Sequence, residues 1–239
     1  MDTVELEVAP QYQRSKGAPW FEAAYKKEVL ILGQGGISSW LSILMARTGA
    51  TLYTYDMDSF EAHNLNGAFA SQDSIGKPKV EAIKELLETF SPDTEVYPSQ
   101  EKYTSKSPSN EVVLTGFDNM VARKVAFENW LKVVEESDHP EQCLYMDGRL
   151  TATFCQIYII TGDRKDLIEK YKAPDILFDD DFLDEGDCTF RQTSHTAAII
   201  AGHMVGFYTN WLSNVFVEGV TALPFFFEYT VPFNFVKNE

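Results

Sequence analysis

The residues best suited to chemistry lie in one stretch, Glu28–Asp58, EVLILGQGGISSWLSILMARTGATLYTYDMD. Gly33-Gln34-Gly35-Gly36 follows a short apolar run and precedes an amphipathic one. Without Cβ atoms the chain can turn tightly there and bring backbone N–H groups close to a ligand. A helix expected over Ile37–Thr48 would point its positive N-terminal end into that turn, which makes an anion site. Asp56 and Asp58 end the next apolar run, where an acid at a strand tip, about 20 residues past the glycines, commonly grips ribose hydroxyls. A phosphate cradle and a sugar grip together point to a nucleotide. Ser38 stands at the third glycine of a GxGxxG fingerprint, so a turn that only makes a tight crossover is the plain alternative. That alternative leaves the two acids unexplained.

These side chains need an alternating framework to hold them. Val29–Leu32 has no polar alternation, as expected of a strand buried on both faces of a parallel sheet. Leu52–Tyr55, Glu95–Tyr97, Val112–Leu114, Leu144–Asp147 and Thr151–Ile160 read as further strands. Lys79–Phe90 and Val121–Glu136 carry helical apolar spacing. Residues 1–27 read as a polar N-terminal arm with a short helix over Trp20–Lys27. Lys172–Thr189, rich in acids, reads as a long exposed crossing loop. A long helix over Thr193–Val215 follows, and an aromatic strand over Phe225–Val231 closes the sheet, with Pro232 a natural stop. The expected fold class is α/β: a Rossmann-like, mostly parallel sheet with helices on both faces, in a single domain over residues 28–239.

At 239 residues with 44% hydrophobic content, the chain can bury a sizeable core. A formal charge of −16 leaves no basic face for nucleic acid and disfavours an anionic membrane. Such acidity serves solubility or a basic protein partner. Cys143, Cys155 and Cys188 form no CxxC pair, which fits a reducing compartment and gives no structural zinc motif. No apolar run of about 18 residues appears, so the expected location is cytoplasmic, with no membrane span.

Four spaced blocks then resemble the ThiF/MoeB superfamily of adenylating enzymes, which includes the ubiquitin-activating enzymes. They are GQGGISS, YDMDSFEAHNLN, GKPKVEAIKELL and GFDNMVARKVAFENW, and the resemblance runs from about Val29 to Val215. It implies an ATP-dependent adenylyltransferase that activates the C-terminal carboxylate of a small ubiquitin-like or peptide partner and works as a homodimer. It implies that Gly33, Gly35 and Gly36 bring backbone to ATP, that Asp56 and Asp58 hold the ribose, and that Asn64 and Lys79 reach the phosphates. Asp118 would hold Mg²⁺, and Arg123 would orient structure. From the residues alone, Asn64 also suits a turn, and Asp118 also suits a helix cap. Lys79 at a helix start is unfavourable unless an anion compensates.

The departures bear on function. The family's Asn-x-x-Arg arginine is replaced by Gly67, which removes a bidentate phosphate donor. Arg14 resembles the arginine that family members lend across a dimer interface. The family's zinc-binding CxxC pairs are missing, so no zinc is expected. Cys188 lies where one branch forms a covalent link to its carrier, though the acids beside it would hold its thiol protonated. Arg149 is positioned to pair with a carboxylate. His195 and His203 are too few for a metal site. A binding protein that has lost catalysis is the second reading, and Gly67 supports it. An NAD(P)-dependent oxidoreductase is the third, and it leaves the Lys79 and Asp118 blocks without a purpose.

Overall fold

Alternate side chains of a strand face opposite ways, and the central strands of this chain are apolar on both faces. In the computed structural model, which describes residues 7–178, 193–217, 221 and 223–239, the strands are β1 (Glu28–Leu32), β2 (Thr51–Tyr55), β3 (Val96–Ser99), β4 (Val112–Thr115), β5 (Leu144–Leu150), β6 (Phe154–Thr161), β7 (Phe226–Thr230) and β8 (Phe235–Asn238). The helices are α1 (Phe21–Ala24), α2 (Gly36–Ala46), α3 (Lys79–Phe90), α4 (Met120–Glu136), α5 (Lys165–Tyr171) and α6 (Ser194–Phe216). One eight-stranded sheet runs β3-β2-β1-β4-β5-β6-β7-β8. Its β3-β2-β1-β4-β5 part is parallel and β5 to β8 pair antiparallel.

Val29 and Ile31 pack with Val112, Leu114 and Met146 beneath α2, α3 and α6. Leu30 and Leu32 point the other way, with Val113 and Tyr145, against α4 and α5. Helices therefore cover both faces, as the unbroken apolar strands require. β1 sits between β2 and β4, so the strand order reverses there. The crevice at the carboxyl ends of β1 and β4 is the topological switch point, where such sheets place ligands.

Several boundaries depart from the sequence reading. The arm helix is a single turn, because Lys26 takes a positive φ of 62° and donates its N–H to Gly49 O. β7 does not close the sheet: after the turn at Pro232 the chain adds β8 as an exposed edge. The acidic stretch begins directly after α5, a helix too short for periodicity to mark it, and Lys172, Pro174 and Asp175 are exposed. Its first residues wind in turns, with Ile176 buried at 7% exposure. Among the described residues no helix is long and apolar enough to cross a membrane.

Trp130 of α4 is fully buried, stacks on Phe127 and donates its indole N–H to Glu111 O at 3.0 Å. Trp130→Ala is expected to cost about 3–5 kcal/mol, read as a lowered urea midpoint with an unchanged slope. A loss below about 1 kcal/mol would show that this face can collapse around the gap.

Candidate functional site

Gly33 leaves β1 with φ at +75°, a conformation an L side chain rarely adopts, and its N–H bonds Tyr55 O at 2.8 Å. A Cβ there would lie 3.2 Å from the Phe117 ring. A Cβ on Gly35 would meet nothing within 4 Å, so the space above the turn is open. α2 begins at Gly36 with no side chain capping its first turn, which leaves N–H groups aimed into that space. Ser38, in the third-glycine place, is buried and donates to Leu32 O at 3.3 Å. The close packing comes instead from the opposite partner: a Cβ on Gly116 would sit 2.6 Å from the Ser38 hydroxyl. Glycine at 116, after β4, is the sequence signal for this exchange.

Asp56 turns inward at the tip of β2. One carboxylate oxygen accepts Gln34 N–H at 2.6 Å and the other accepts Asp58 N–H at 2.8 Å. The acid is thus fixed under the glycine turn. Burial pushes its carboxyl above the usual range, and the Gln34 N–H and Lys79 pull it back. Lys79 finds its compensating anion in these acids, with Nζ 3.1 Å from Asp58 and 3.8 Å from Asp56. Its N–H also donates to Asp58 O at 2.9 Å, which ties the start of α3 to the acid pair. Asn64 has a turn role: its Oδ1 accepts Glu61 N–H at 2.9 Å. The segment carrying it is pinned beside α2 by the Trp40 indole on Gly67 O at 3.0 Å and by Phe69 N–H on Ser39 Oγ at 2.8 Å.

On the other side of the crevice Asp118 is exposed at the tip of β4. It does not cap α4; Asn119 does, its Oδ1 accepting Ala122 N–H at 2.8 Å. The carboxylate accepts the Asn119 side-chain amide at 3.2 Å. Beneath it Arg123 is buried, donating to Phe117 O, to Gly148 O at 3.1 Å and to Asp147. Burial, and then the like charge of Arg149, lower its pKa to about 10, so it remains a cation at neutral pH. Arg149 does pair with a carboxylate, and the carboxylate is that of Asp147 within the chain, Nε to Oδ2 at 2.7 Å. Asp147, fully buried in the middle of β5, was not singled out from the sequence.

The remaining candidates separate from the crevice. The arm is anchored at the far end of α2, where the Tyr12 hydroxyl donates to Ala46 O at 3.1 Å. Arg14, exposed two residues later, is therefore not brought to the glycine turn of its own chain. Cys188 lies outside the described residues, as does the acidic stretch from position 179. Cys143 and Cys155 are buried free thiols, their pKa values raised by burial, Cys155 to about 11. His203 packs against Phe227, and burial lowers its pKa; His195 is exposed. No group of three metal-ligating side chains occurs among the described residues.

The fold and crevice define a nucleotide-type α/β sheet with a glycine turn and opposed acids at its switch point. The ThiF family model matches residues 10–238, and the chain belongs to that family. It is 29% identical over 129 residues to the NEDD8-activating enzyme E1 catalytic subunit of Saccharomyces cerevisiae, covering 51% of this chain and 43% of that protein. It is 30% identical over 86 residues to the ubiquitin-like modifier-activating enzyme 5 of Culex quinquefasciatus, covering 36% and 22%. The chain thus spans less than half the length of the curated relatives it matches. Among solved structures, PaaA superposes with a TM-score of 0.75 at 14% identity, covering 100% of this chain and 77% of that one. E. coli MccB with ATP gives 0.72 at 14% identity, covering 97% and 71%.

The Lys79 cluster makes a pH prediction. The folded-state pKa of Asp56 is raised, so its ionised form costs stability at neutral pH, and the cost fades as pH falls through that value. Lys79 offsets part of it. Lys79→Met is expected to lower stability by about 1 kcal/mol near neutral pH. The deficit should narrow as pH falls and the Asp56 carboxyl, whose proton affinity burial has raised, loses its charge. Melting temperatures of both proteins as pH is lowered from neutral check the sign; a deficit that widens on acidification would refute it.

Proposed function

We propose that the chain is an ATP-dependent adenylyltransferase that activates the C-terminal carboxylate of a small ubiquitin-like or peptide partner. The observation that carries this reading is the pairing of an uncapped α2 start over open space with acids on opposite sides of it, Asp56 and Asp58 on β2 and Asp118 on β4. Family membership supports it. So do relatives named as activating enzymes for NEDD8 and ubiquitin-like modifiers, and structural neighbours of MccB solved with ATP or with MccA.

The chain's own residues divide the work. The backbone at Gly33, Gly35 and Gly36 comes close to the nucleotide; the N–H groups of Gly35 and Gly36 face the phosphates, that of Gly33 being held by Tyr55 O, and the α2 dipole adds positive potential there. Asp56 and Asp58 take the ribose hydroxyls. Lys79 leaves its ion pair for the phosphates, with Asn64 beside it. Asp118 holds Mg²⁺, which when bound neutralises developing charge on the departing pyrophosphate; one carboxylate plus phosphate oxygens is the usual ligand set for this ion. A partner carboxylate oxygen then attacks the α-phosphorus, and the pyrophosphate oxygen leaves with the bonding pair. Arg14, remote from its own turn, serves the site of a second copy, so the working form is a homodimer. The net charge of −16 favours a partner with a basic surface.

Gly67 favours a second reading, in which the crevice binds without catalysis, because no arginine occupies that position. Calorimetric titration of the full chain with Mg·ATP, and with NADH as a control, tests both. Micromolar Mg·ATP binding that falls at least about tenfold in Asp118→Ala supports a working site. Tighter binding of NADH, or an Asp118→Ala chain that binds as the parent does, would overturn the proposed function. Binding by the parent without pyrophosphate release, when a carboxylate partner is supplied, would favour the second reading.

A further inference from the structure

The buried cluster around Asp147 has no counterpart in the roles assigned so far, and its connections single it out. Asp147 is fully buried, and both of its oxygens are engaged: Oδ1 by Arg123, Oδ2 by Arg149 Nε at 2.7 Å and by the Tyr171 hydroxyl at 2.8 Å. Each guanidinium then reaches backbone on a different element. Arg123 donates to Phe117 O, the carbonyl next to Asp118 in the chain. Arg149 donates to Ile176 O at 2.9 Å, in the turns following α5, and lies 4.6 Å from the centre of the Tyr158 ring. One carboxylate thereby fixes the tip of β4, the end of β5 and the exit of α5. Such a cluster is a poor source of net stability, because taking three charges out of water costs about what their attraction returns. A positional role explains its presence better.

We propose that Asp147 is a positioning residue for the metal-binding carboxylate: through Arg123 it holds the Phe117 carbonyl, and so sets where Asp118 presents its oxygens. The inference rests on the adenylation reading, in which Asp118 holds Mg²⁺. It assigns to the side of the crevice away from Asp56 a support that touches neither nucleotide nor metal. Phe117 ties this support to the other side as well, since its ring is the nearest group to a Cβ at Gly33. Tyr171 makes α5 part of the same support.

The test is a Mg²⁺ titration at fixed ATP with the full chain, read as nucleotide binding, alongside melting temperature. Asp147→Asn, which keeps the shape and removes the charge, is expected to raise the Mg²⁺ midpoint about tenfold. Asp118→Asn should shift it in the same direction. The double variant should go little further than the larger single effect, because both changes act on one interaction. Tyr171→Phe keeps every charge and removes one hydrogen bond, so a shift of about two- to threefold is expected. It carries the test if Asp147→Asn does not fold. A lowered melting temperature with a parental Mg²⁺ midpoint in the folded variants would overturn the positioning role and leave the adenylation reading intact. A parent chain that binds no nucleotide at any Mg²⁺ concentration would overturn both.

Discussion

The crevice depends on one close approach, that of the turn after β1 to the tip of β4. Gly116 donates its N–H to Leu32 O at 3.1 Å and has no Cβ, which leaves room for Ser38 at the start of α2. Gly33 in turn clears the Phe117 ring. With these two side chains absent, α2 can start directly over β4 with its N–H groups exposed to the crevice. The glycine-turn backbone and the Asp118 carboxylate then share one opening. A single extra methyl at position 116 would push them apart, because interiors packed at crystal-like density have little slack.

The two sides of that opening are held by different physics. The Asp56 side is a largely buried arrangement that opens to solvent at Asp58, a carboxylate gripped by two backbone N–H groups and a lysine over it. Its components can exchange partners when a ligand arrives, because Asp58 is more than half exposed and Lys79 has a short way to move. The Asp118 side rests on a dry cluster of charges under α4, which cannot rearrange without leaving a buried ion uncompensated. One side of the opening can therefore adapt while the other stays rigid.

Much of this was legible in the residues because it is local. The β1–turn–α2–β2 unit is contiguous, so its apolar runs and glycines mark strand, turn and helix directly. The α/β class followed from strands with no polar alternation, and the structure confirms helices on both faces. What the sequence concealed is non-local or brief. Asp147 and Arg149 lie two apart on one face of β5, but Arg123 comes from α4 and Tyr171 from α5, and no spacing along the chain marks those pairings. α5 spans two turns, too little for a helical period to emerge, and Asn119 rather than its neighbour Asp118 won the cap of α4. β8 follows so closely on Pro232 that a chain stop looked natural, yet the proline serves a turn that brings back an edge strand.

The order of the strands has a kinetic consequence. β1 pairs with β2 across a single helix, but it meets β4 only after the chain has passed through α2, β2, α3 and β3. Closing that loop costs entropy before any contact returns it, and parallel pairing across long separations forms slowly. The β1–α2–β2 unit can collapse early, whereas the crevice is the product of the later docking of β4 against β1. In a chain emerging from the ribosome, the glycine turn and Asp118 would meet only once β4 has followed β3 out. Function therefore arrives late in folding, and an interruption between those two events leaves a folded-looking half without a site.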